Sequence, residues 1–122
     1  MRDGSNVTKK EKQMIRSSIR MTMPSKKRDE ALKILNSVAE QCRDAPGCLG
    51  CQTYADLNEK NILMIEDVWQ SKEDLNVHLR SEEYLSLLLV LEMSLTQPEI
   101  RFEAISSSEG IGLIEKARMH EK

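Results

Sequence analysis

The stretch ILMIEDVWQSKEDLNVHLRS, residues 62–81, decides the fold of this chain. Its first eight residues predict a buried strand that ends at Trp69, because a short apolar run bounded by polar residues is typical of a strand. Ser71 then precedes a cluster of acidic residues and predicts the N-cap of a short helix that carries His78. Aromatic residues make up only 3% of the chain. The one tryptophan of the sequence, followed closely by a histidine, therefore indicates a small-molecule pocket.

On either side of this stretch the sequence shows two periodicities. Apolar residues recur at every second position in 14–23, which predicts a strand, and at intervals of three and four in 26–43, which predicts a helix with one apolar stripe. Ser25 is expected to cap that helix through its hydroxyl. Three further elements complete the domain: a strand at 48–57 in a hairpin with 62–69, a helix that begins near Ser81 and ends by Gln97-Pro98, and a strand at 99–106.

The resulting order β-α-β-β-α-β predicts an α+β, ferredoxin-like antiparallel sheet with its helices on one face. The strand at 62–69 is apolar on both faces at its start, which suits a strand covered on both sides. The leucine-rich helix after Ser81 is apolar almost all the way round, which predicts burial on several sides. We therefore expect a homodimer in which two sheets face each other.

Length, charge and hydropathy exclude several classes of protein. A chain of 122 residues fits one domain, and we expect a disordered N-terminal tail at 1–13, the folded domain at 14–106 and a C-terminal extension, strand or helix, at 107–122. A net charge of −2 and a pI near 5.7 argue against nucleic-acid binding, which needs a basic face. No apolar run is long enough to span a membrane, and the N-terminus lacks the apolar core of a signal peptide. We expect a cytoplasmic protein that binds neither nucleic acid nor a membrane.

The three cysteines, Cys42, Cys48 and Cys51, favour structural packing over chemistry. An odd number in a cytosolic protein disfavours a disulfide framework. The C-x-x-C spacing of Cys48 and Cys51 suits zinc, but a zinc site needs two more ligands and the sequence has no second C-x-x-C pair. We therefore expect no metal.

Three short motifs carry a resemblance to a known family. They are Val68-Trp69-Gln70-Ser71, the helical His78-Leu79-Arg80-Ser81, and the Pro46-Gly47-Cys48 turn before the second strand. In these motifs, and over about residues 14–106, the chain resembles the antibiotic biosynthesis monooxygenase family of the dimeric α/β-barrel superfamily. The resemblance implies the ferredoxin-like fold, a homodimer and a small aromatic substrate.

The same resemblance implies a monooxygenase that oxidises a quinol or an anthrone to a quinone without metal, flavin or haem. Such chemistry needs a base near the phenol oxygen and an apolar pocket that excludes water. His78 is the expected base, since imidazole titrates near neutral pH. Trp69 is the expected stacking wall for the aromatic ring, and Met21, Met64 and Met93 are expected to supply adaptable apolar walls.

Two alternatives remain open at this point. The chain also fits a non-catalytic dimeric module that binds an apolar small molecule, with His78, Trp69 and the methionines serving only as core. A haem-degrading branch of the same fold resembles a triad of Asn, Trp and an axial His, but the matching positions here hold Ser17 or Ser18, His78 and a residue near Leu88. Those departures argue against haem chemistry.

Overall fold

The computed structural model describes residues 13–119, which form a four-stranded antiparallel sheet with three helices packed on one face and a C-terminal helix whose residues are all exposed. The strands lie in the order β2-β3-β1-β4, and this topology confirms the predicted α+β ferredoxin-like fold. The elements are β1 Ile15–Thr22, a 3-10 turn Ser25–Lys27, α1 Arg28–Arg43, β2 Cys48–Ala55, β3 Ile62–Trp69, α2 Lys72–Leu79, α3 Glu82–Glu92, β4 Glu99–Ala104 and α4 Ile111–Met119.

The predicted N-terminal tail at 1–13 lies outside the described residues except for Gln13. The predicted C-terminal extension contains a helix, α4, and its last three residues also lie outside the described part of the chain. Within residues 13–119, no helix has both the length and the apolar character needed to cross a membrane.

The core lies between the sheet and α1. Alternation along β1 and β3 places Ile19 opposite Ile65 and Met21 opposite Leu63, and all four side chains are buried on the helix-covered face. Full burial of an aliphatic side chain of this size contributes about 1.5–3 kcal/mol, so this layer holds α1 against the sheet. The stripe of α1 that meets it consists of Ala31, Leu35, Val38, Ala39 and Cys42.

The start of α1 differs from the sequence prediction. Ser25 does not cap the helix, because the 3-10 turn at Ser25–Lys27 moves the first α-helical residue to Arg28. Lys27 occupies the N-cap position without a side-chain hydrogen bond. The hydroxyl of Ser25 instead accepts a hydrogen bond of 2.9 Å from the side-chain amide of Asn61, and so joins this turn to the β2–β3 hairpin.

The turn after α1 depends on Gly47. Its φ of 83° lies in the left-handed region, which side chains with a Cβ rarely adopt. A Cβ at this position would also collide with the side chain of Asp74 in α2. The Gly47 carbonyl accepts a hydrogen bond of 2.8 Å from the N–H of Gln70. The turn therefore holds the start of β2 close against the start of α2.

Helix α3 is less covered than its composition suggests. Tyr84, Leu87 and Val90 are buried, but the opposite side of the helix is exposed in the single chain. The prediction of burial on several sides is therefore wrong for the isolated protomer, because the described residues cover only the side of α3 that faces α1 and His78. The helix also ends at Glu92, earlier than predicted. The exposed side chains are Leu85, Leu88 and Leu89.

The sheet face opposite the helices is mixed in character. Two exposed ion pairs cross it, Arg16 with Glu66 at 3.7 Å and Arg20 with Glu99 at 3.5 Å. Half-buried apolar residues of β3 share this face with the ion pairs. Exposed ion pairs contribute little to stability, about 0–1 kcal/mol each. The expected dimer through this face remains a prediction. The half-buried apolar residues are Ile62, Met64 and Val68.

Candidate functional site

The end of β3 and the helix α2 bring Trp69 and His78 into direct contact. Their rings stack with centroids 4.6 Å apart and planes inclined by 29°. Trp69 is the last residue of β3, and the two-residue connection Gln70-Ser71 turns the chain straight into α2. Ser71 caps α2 as predicted, since its hydroxyl accepts from the N–H of Asp74 at 3.1 Å. His78 then lies two turns along α2 and faces back onto the strand end.

The first residues of α3 close the other side of the imidazole. Tyr84 meets His78 edge-on, with ring centroids 5.2 Å apart. Ser81 fixes this approach, because its hydroxyl donates to the carbonyl of His78 at 2.6 Å and accepts from the N–H of Tyr84 at 3.3 Å. The imidazole is thus held between two aromatic rings.

His78 is almost completely buried. Only 4% of the residue is exposed. Among the described residues, no group forms a hydrogen bond with its Nδ1 atom, which is itself buried. Burial lowers the pKa of His78, and the distant charge of Glu83 opposes the shift only in part. The neutral imidazole is therefore the dominant form at neutral pH.

Asp67 is a functional candidate that the sequence analysis missed. Its carboxylate lies on the covered face of β3 and accepts a hydrogen bond from Nε1 of Trp69. Burial is the main cause that raises the pKa of Asp67 to about 6, while the Trp69 hydrogen bond acts in the opposite direction. The alternation Leu63, Ile65, Asp67, Trp69 on one strand face was a signal that could have found it.

Cys42 adds a third polar group to this part of the core. It lies in the last turn of α1 and is completely buried. The Sγ atom of Cys42, a carboxylate oxygen of Asp67 and a ring nitrogen of His78 all lie within 4.8 Å of one another. Cys48 approaches from the start of β2, with its Sγ 3.8 Å from that of Cys42. A thiol, a carboxyl and an imidazole therefore share one buried cluster.

The three methionines expected to line the pocket lie elsewhere. Met21 is opposite Leu63, at the other end of β1 from Ile15, which pairs with Trp69; that separation is roughly 20 Å along the strand. Met64 lies on the opposite sheet face, and Met93 follows the end of α3. The structure brings together Trp69 and His78 but none of the three methionines.

An apolar cleft of about 350 Å³ lies beside the cluster. Ile15 and Leu75 form the part of its wall nearest the cluster, because Ile15 pairs with Trp69 across the sheet and Leu75 precedes His78 by one helical turn. Neither Trp69 nor His78 lines the cleft. Its volume falls within the range of about 300–1,000 Å³ that is usual for ligand pockets. The lining residues are Gln13, Ile15, Lys72, Leu75, Phe102 and Ala104.

Comparison with known proteins identifies the family. The sequence profile described as antibiotic biosynthesis monooxygenase matches residues 14–87, which is more than half of the chain. The chain therefore belongs to the antibiotic biosynthesis monooxygenase family, as the motifs around Trp69 and His78 predicted. No curated protein sequence matches it.

Solved structures show the same fold at low sequence identity. A candidate antibiotic biosynthesis monooxygenase from Deinococcus radiodurans is 16% identical with a TM-score of 0.72, over 80% of this chain and 97% of its own. A conserved Bacteroides thetaiotaomicron protein of unknown function, described as a possible oxidoreductase, is 17% identical with a TM-score of 0.71, over 77% of this chain and 99% of its own. A conserved protein from Methanosarcina mazei is 22% identical with a TM-score of 0.70, over 76% of this chain and 93% of its own. At these identities the likeness establishes the fold alone.

Proposed function

We propose that this chain is a monooxygenase that oxidises an electron-rich aromatic substrate, of the quinol or anthrone type, to a quinone without a cofactor. Membership of the antibiotic biosynthesis monooxygenase family supports an oxygenase. The descriptions of two similar structures, one as a candidate monooxygenase of this family and one as a possible oxidoreductase, point the same way. The substrate class and the cofactor-free mechanism are what the resemblance to this family implies, and a proton acceptor held between aromatic rings is compatible with both.

The observation that carries the proposal concerns the Nδ1 atom of His78. This atom is buried, and no group among the described residues forms a hydrogen bond with it. An unpaired buried nitrogen costs roughly 1–3 kcal/mol, and a site that serves only packing gains nothing from it. A neutral imidazole in this position is able to accept a proton from a phenol. Trp69 and Tyr84 hold the ring in one orientation, which is what a general base requires.

The proposed reaction begins when His78 removes the phenolic or enolic proton of the substrate. The resulting anion passes one electron to O2, which gives a substrate radical and superoxide. The two radicals combine to form a peroxide anion on the ring carbon, and the protonated His78 returns its proton to give the hydroperoxide. Loss of water then leaves a carbonyl, so one oxygen atom enters the quinone and the other leaves as water. The substrate supplies all the electrons, and the reaction needs no external reductant.

The cleft beside Ile15 and Leu75 is the proposed route for the substrate. Phe102 offers a ring face in its wall, and the lining is mostly apolar. Because His78 is only 4% exposed, the substrate reaches it only when Leu75 or Ile15 moves aside. Closure behind the substrate then excludes water from the radical pair. Once the path is open, Trp69 forms the stacking wall of the pocket.

Oxygen uptake with a panel of quinols and anthrones, measured in the presence of a chelator, tests this function. The expected result is one O2 consumed per quinone formed, with one atom of isotopically labelled oxygen in the product. Uptake that requires an added metal, flavin or haem would contradict the cofactor-free mechanism.

A second function is favoured by the closed state of the cluster. Since Trp69 and His78 do not line the cleft, the cleft alone fits a module that binds an apolar small molecule without chemistry. Saturable binding of quinols with no oxygen uptake, detected by calorimetry on the same preparation, would support this second function.

A further inference from the structure

We infer that Cys42, Asp67 and His78 form a binding site for a divalent transition-metal ion of the zinc class. These residues come from three separate elements, α1, β3 and α2, and all three are buried. Their ligand atoms lie within 4.8 Å of one another. A tetrahedral ion with ligands at about 2.0–2.3 Å keeps its ligand atoms roughly 3.3–3.8 Å apart. Side-chain rotations that close the cluster by about 1 Å would therefore complete the geometry.

The donor set selects the class of ion. A thiolate and an imidazole favour zinc, cobalt and similar ions, whereas magnesium and calcium prefer oxygen ligands alone. A carboxylate is a common companion ligand for zinc. The set thus suits a borderline-soft ion in a dry, closed position.

Two independent features show that the cluster has unfilled interactions, one at a hydrogen-bonding atom and one at a charged group. In the part of the chain that the structure describes, the Nδ1 atom of His78 has no hydrogen-bond partner, and no lysine or arginine forms an ion pair with Asp67. A buried carboxylate without a cation is costly unless it takes up a proton. A bound divalent cation would satisfy the carboxylate, the thiol and the imidazole together.

The hydrogen bond from Trp69 provides the outer support that such a site needs. Its Nε1 donates to Oδ2 of Asp67 while its ring face holds His78. Partners of this kind orient metal ligands and commonly change affinity by 10–100-fold. One tryptophan therefore orients two of the three ligands.

Cys48 is the proposed fourth ligand on the basis of its distance from Cys42, although its Sγ is not one of the ligand atoms that lie within 4.8 Å of one another. Its Sγ lies 3.8 Å from that of Cys42, and two sulfur ligands at about 2.3 Å on a tetrahedral ion are separated by roughly 3.8 Å. Cys48 is only half-buried, so it also offers an entry point from the surface. The C-x-x-C pair thus contributes a ligand without needing a second pair elsewhere in the sequence.

Metal binding and the proposed base catalysis exclude each other at His78. A metal that takes the imidazole lone pair removes the proton acceptor, so the metal-free protein would be the active form. The metal site itself does not depend on the oxygenase proposal, because it is tested by binding alone.

Titration of the reduced, chelator-treated full chain with Co²⁺ tests the inference. We expect one Co²⁺ per chain and a thiolate-to-cobalt charge-transfer band in the near ultraviolet. We also expect visible d–d bands with the strong absorption that is typical of tetrahedral Co²⁺. Zn²⁺ should abolish both bands, and Mg²⁺ in large excess should leave them unchanged. The wild-type titration decides first: absence of the charge-transfer band or of saturation at one equivalent would overturn the site.

Isosteric variants then assign the ligands. Cys42→Ser should abolish the charge-transfer band or reduce it by about half, since Cys48 remains, and Asp67→Asn and His78→Gln should each weaken binding at least about tenfold. Tyr84→Phe is the matched control, because it keeps the ring beside His78 and removes no proposed ligand. Circular dichroism checks that each variant is folded. Unchanged Co²⁺ affinity in folded Asp67→Asn and His78→Gln would place the ion elsewhere, even if oxygen uptake were present.

Discussion

The imidazole of His78 stacks on the indole of Trp69, with ring centroids 4.6 Å apart. Stacked aromatic pairs contribute about 0.5–1.5 kcal/mol beyond the burial of their area, so the contact fixes the orientation of the imidazole as well as its position. The contact exists because β3 passes into α2 through only two residues, and because the cap at Ser71 starts the helix at once. The site therefore depends on the turn that precedes the helix.

The first prediction concerns Gly47, which holds that turn. Gly47→Ala should lower the free energy of unfolding by roughly 1–3 kcal/mol, because it combines a left-handed φ of 83° with a Cβ that meets Asp74. Gly50→Ala is the matched control, since nothing lies within 4 Å of a Cβ there. Urea unfolding of both variants measures the difference. Equal stability of the two would show that the Gly47 turn is not strained by a side chain.

The second prediction concerns Asp67 and pH. Burial raises its pKa from 3.8 to about 6, so the native state binds this proton more tightly than the unfolded chain. The protonated carboxyl therefore stabilises the native state fully below about pH 3.8, and this stabilisation is lost as pH rises through about 6. The free energy of unfolding falls by an amount on the order of 3 kcal/mol over this range. Between pH 4 and 7, unfolding free energy should therefore fall in the wild type relative to Asp67→Asn.

The comparison of the wild type with Asp67→Asn requires metal-free conditions and one control variant. His78 changes the unfolding free energy in the opposite direction, because a lowered pKa destabilises the native state as pH falls below about 6.5. Both proteins contain His78, so its contribution cancels to first order when their pH curves are compared. Asp29→Asn, at a carboxylate whose side chain is 98% exposed, controls for the loss of one charge. Parallel pH curves for the wild type and Asp67→Asn would contradict the prediction.

The third prediction is a homodimer through the sheet face opposite the helices. A specific interface there should bury more than about 1,000 Å² in total. Met64→Glu places a charge among the half-buried apolar residues of this face and should give a folded monomer. Leu57→Glu adds the same charge in the β2–β3 hairpin, where Leu57 is 99% exposed, and should remain dimeric. Light scattering after size exclusion measures both, and a wild-type monomer at micromolar concentration would rule the dimer out.

Local patterns in the sequence were sufficient to predict most of the fold. Alternation predicted β1, a short apolar run predicted β3, the three-and-four spacing predicted α1, and Ser71 predicted the start of α2, because each of these signals lies within one element. The prediction that Ser25 caps α1 was wrong because a 3-10 turn separates this residue from the α-helix. The covered side of α3 could not be read from composition, since exposure depends on which neighbours the leucines meet.

The candidate site was predictable only in part, for the same physical reason. Trp69 and His78 are nine positions apart on adjoining elements, so their contact follows from local geometry. Cys42 reaches them only through the packing of α1 on the sheet, which no spacing in the sequence specifies. Counting ligands along the chain therefore argued against a metal, whereas the fold assembles three potential ligands from three elements.

The last prediction separates catalysis from structure at His78. His78→Phe keeps a ring against Trp69 and Tyr84 but removes both nitrogens. Because it also removes the unpaired Nδ1, its stability should equal or exceed that of the wild type. If His78 is the base, turnover of a quinol or anthrone should still fall by about a hundredfold to ten-thousandfold.

Two further variants complete this test. His78→Ala should lose the same activity and also melt at a lower temperature, because it leaves a cavity between two aromatic rings. Val77→Ala, at a neighbouring side chain that is 54% exposed, should keep both activity and melting temperature. Stability and turnover are measured on the same chelator-treated preparation. A folded His78→Phe protein with full turnover would remove His78 from the mechanism, because the variant keeps an aromatic ring at this position and lacks the proton acceptor.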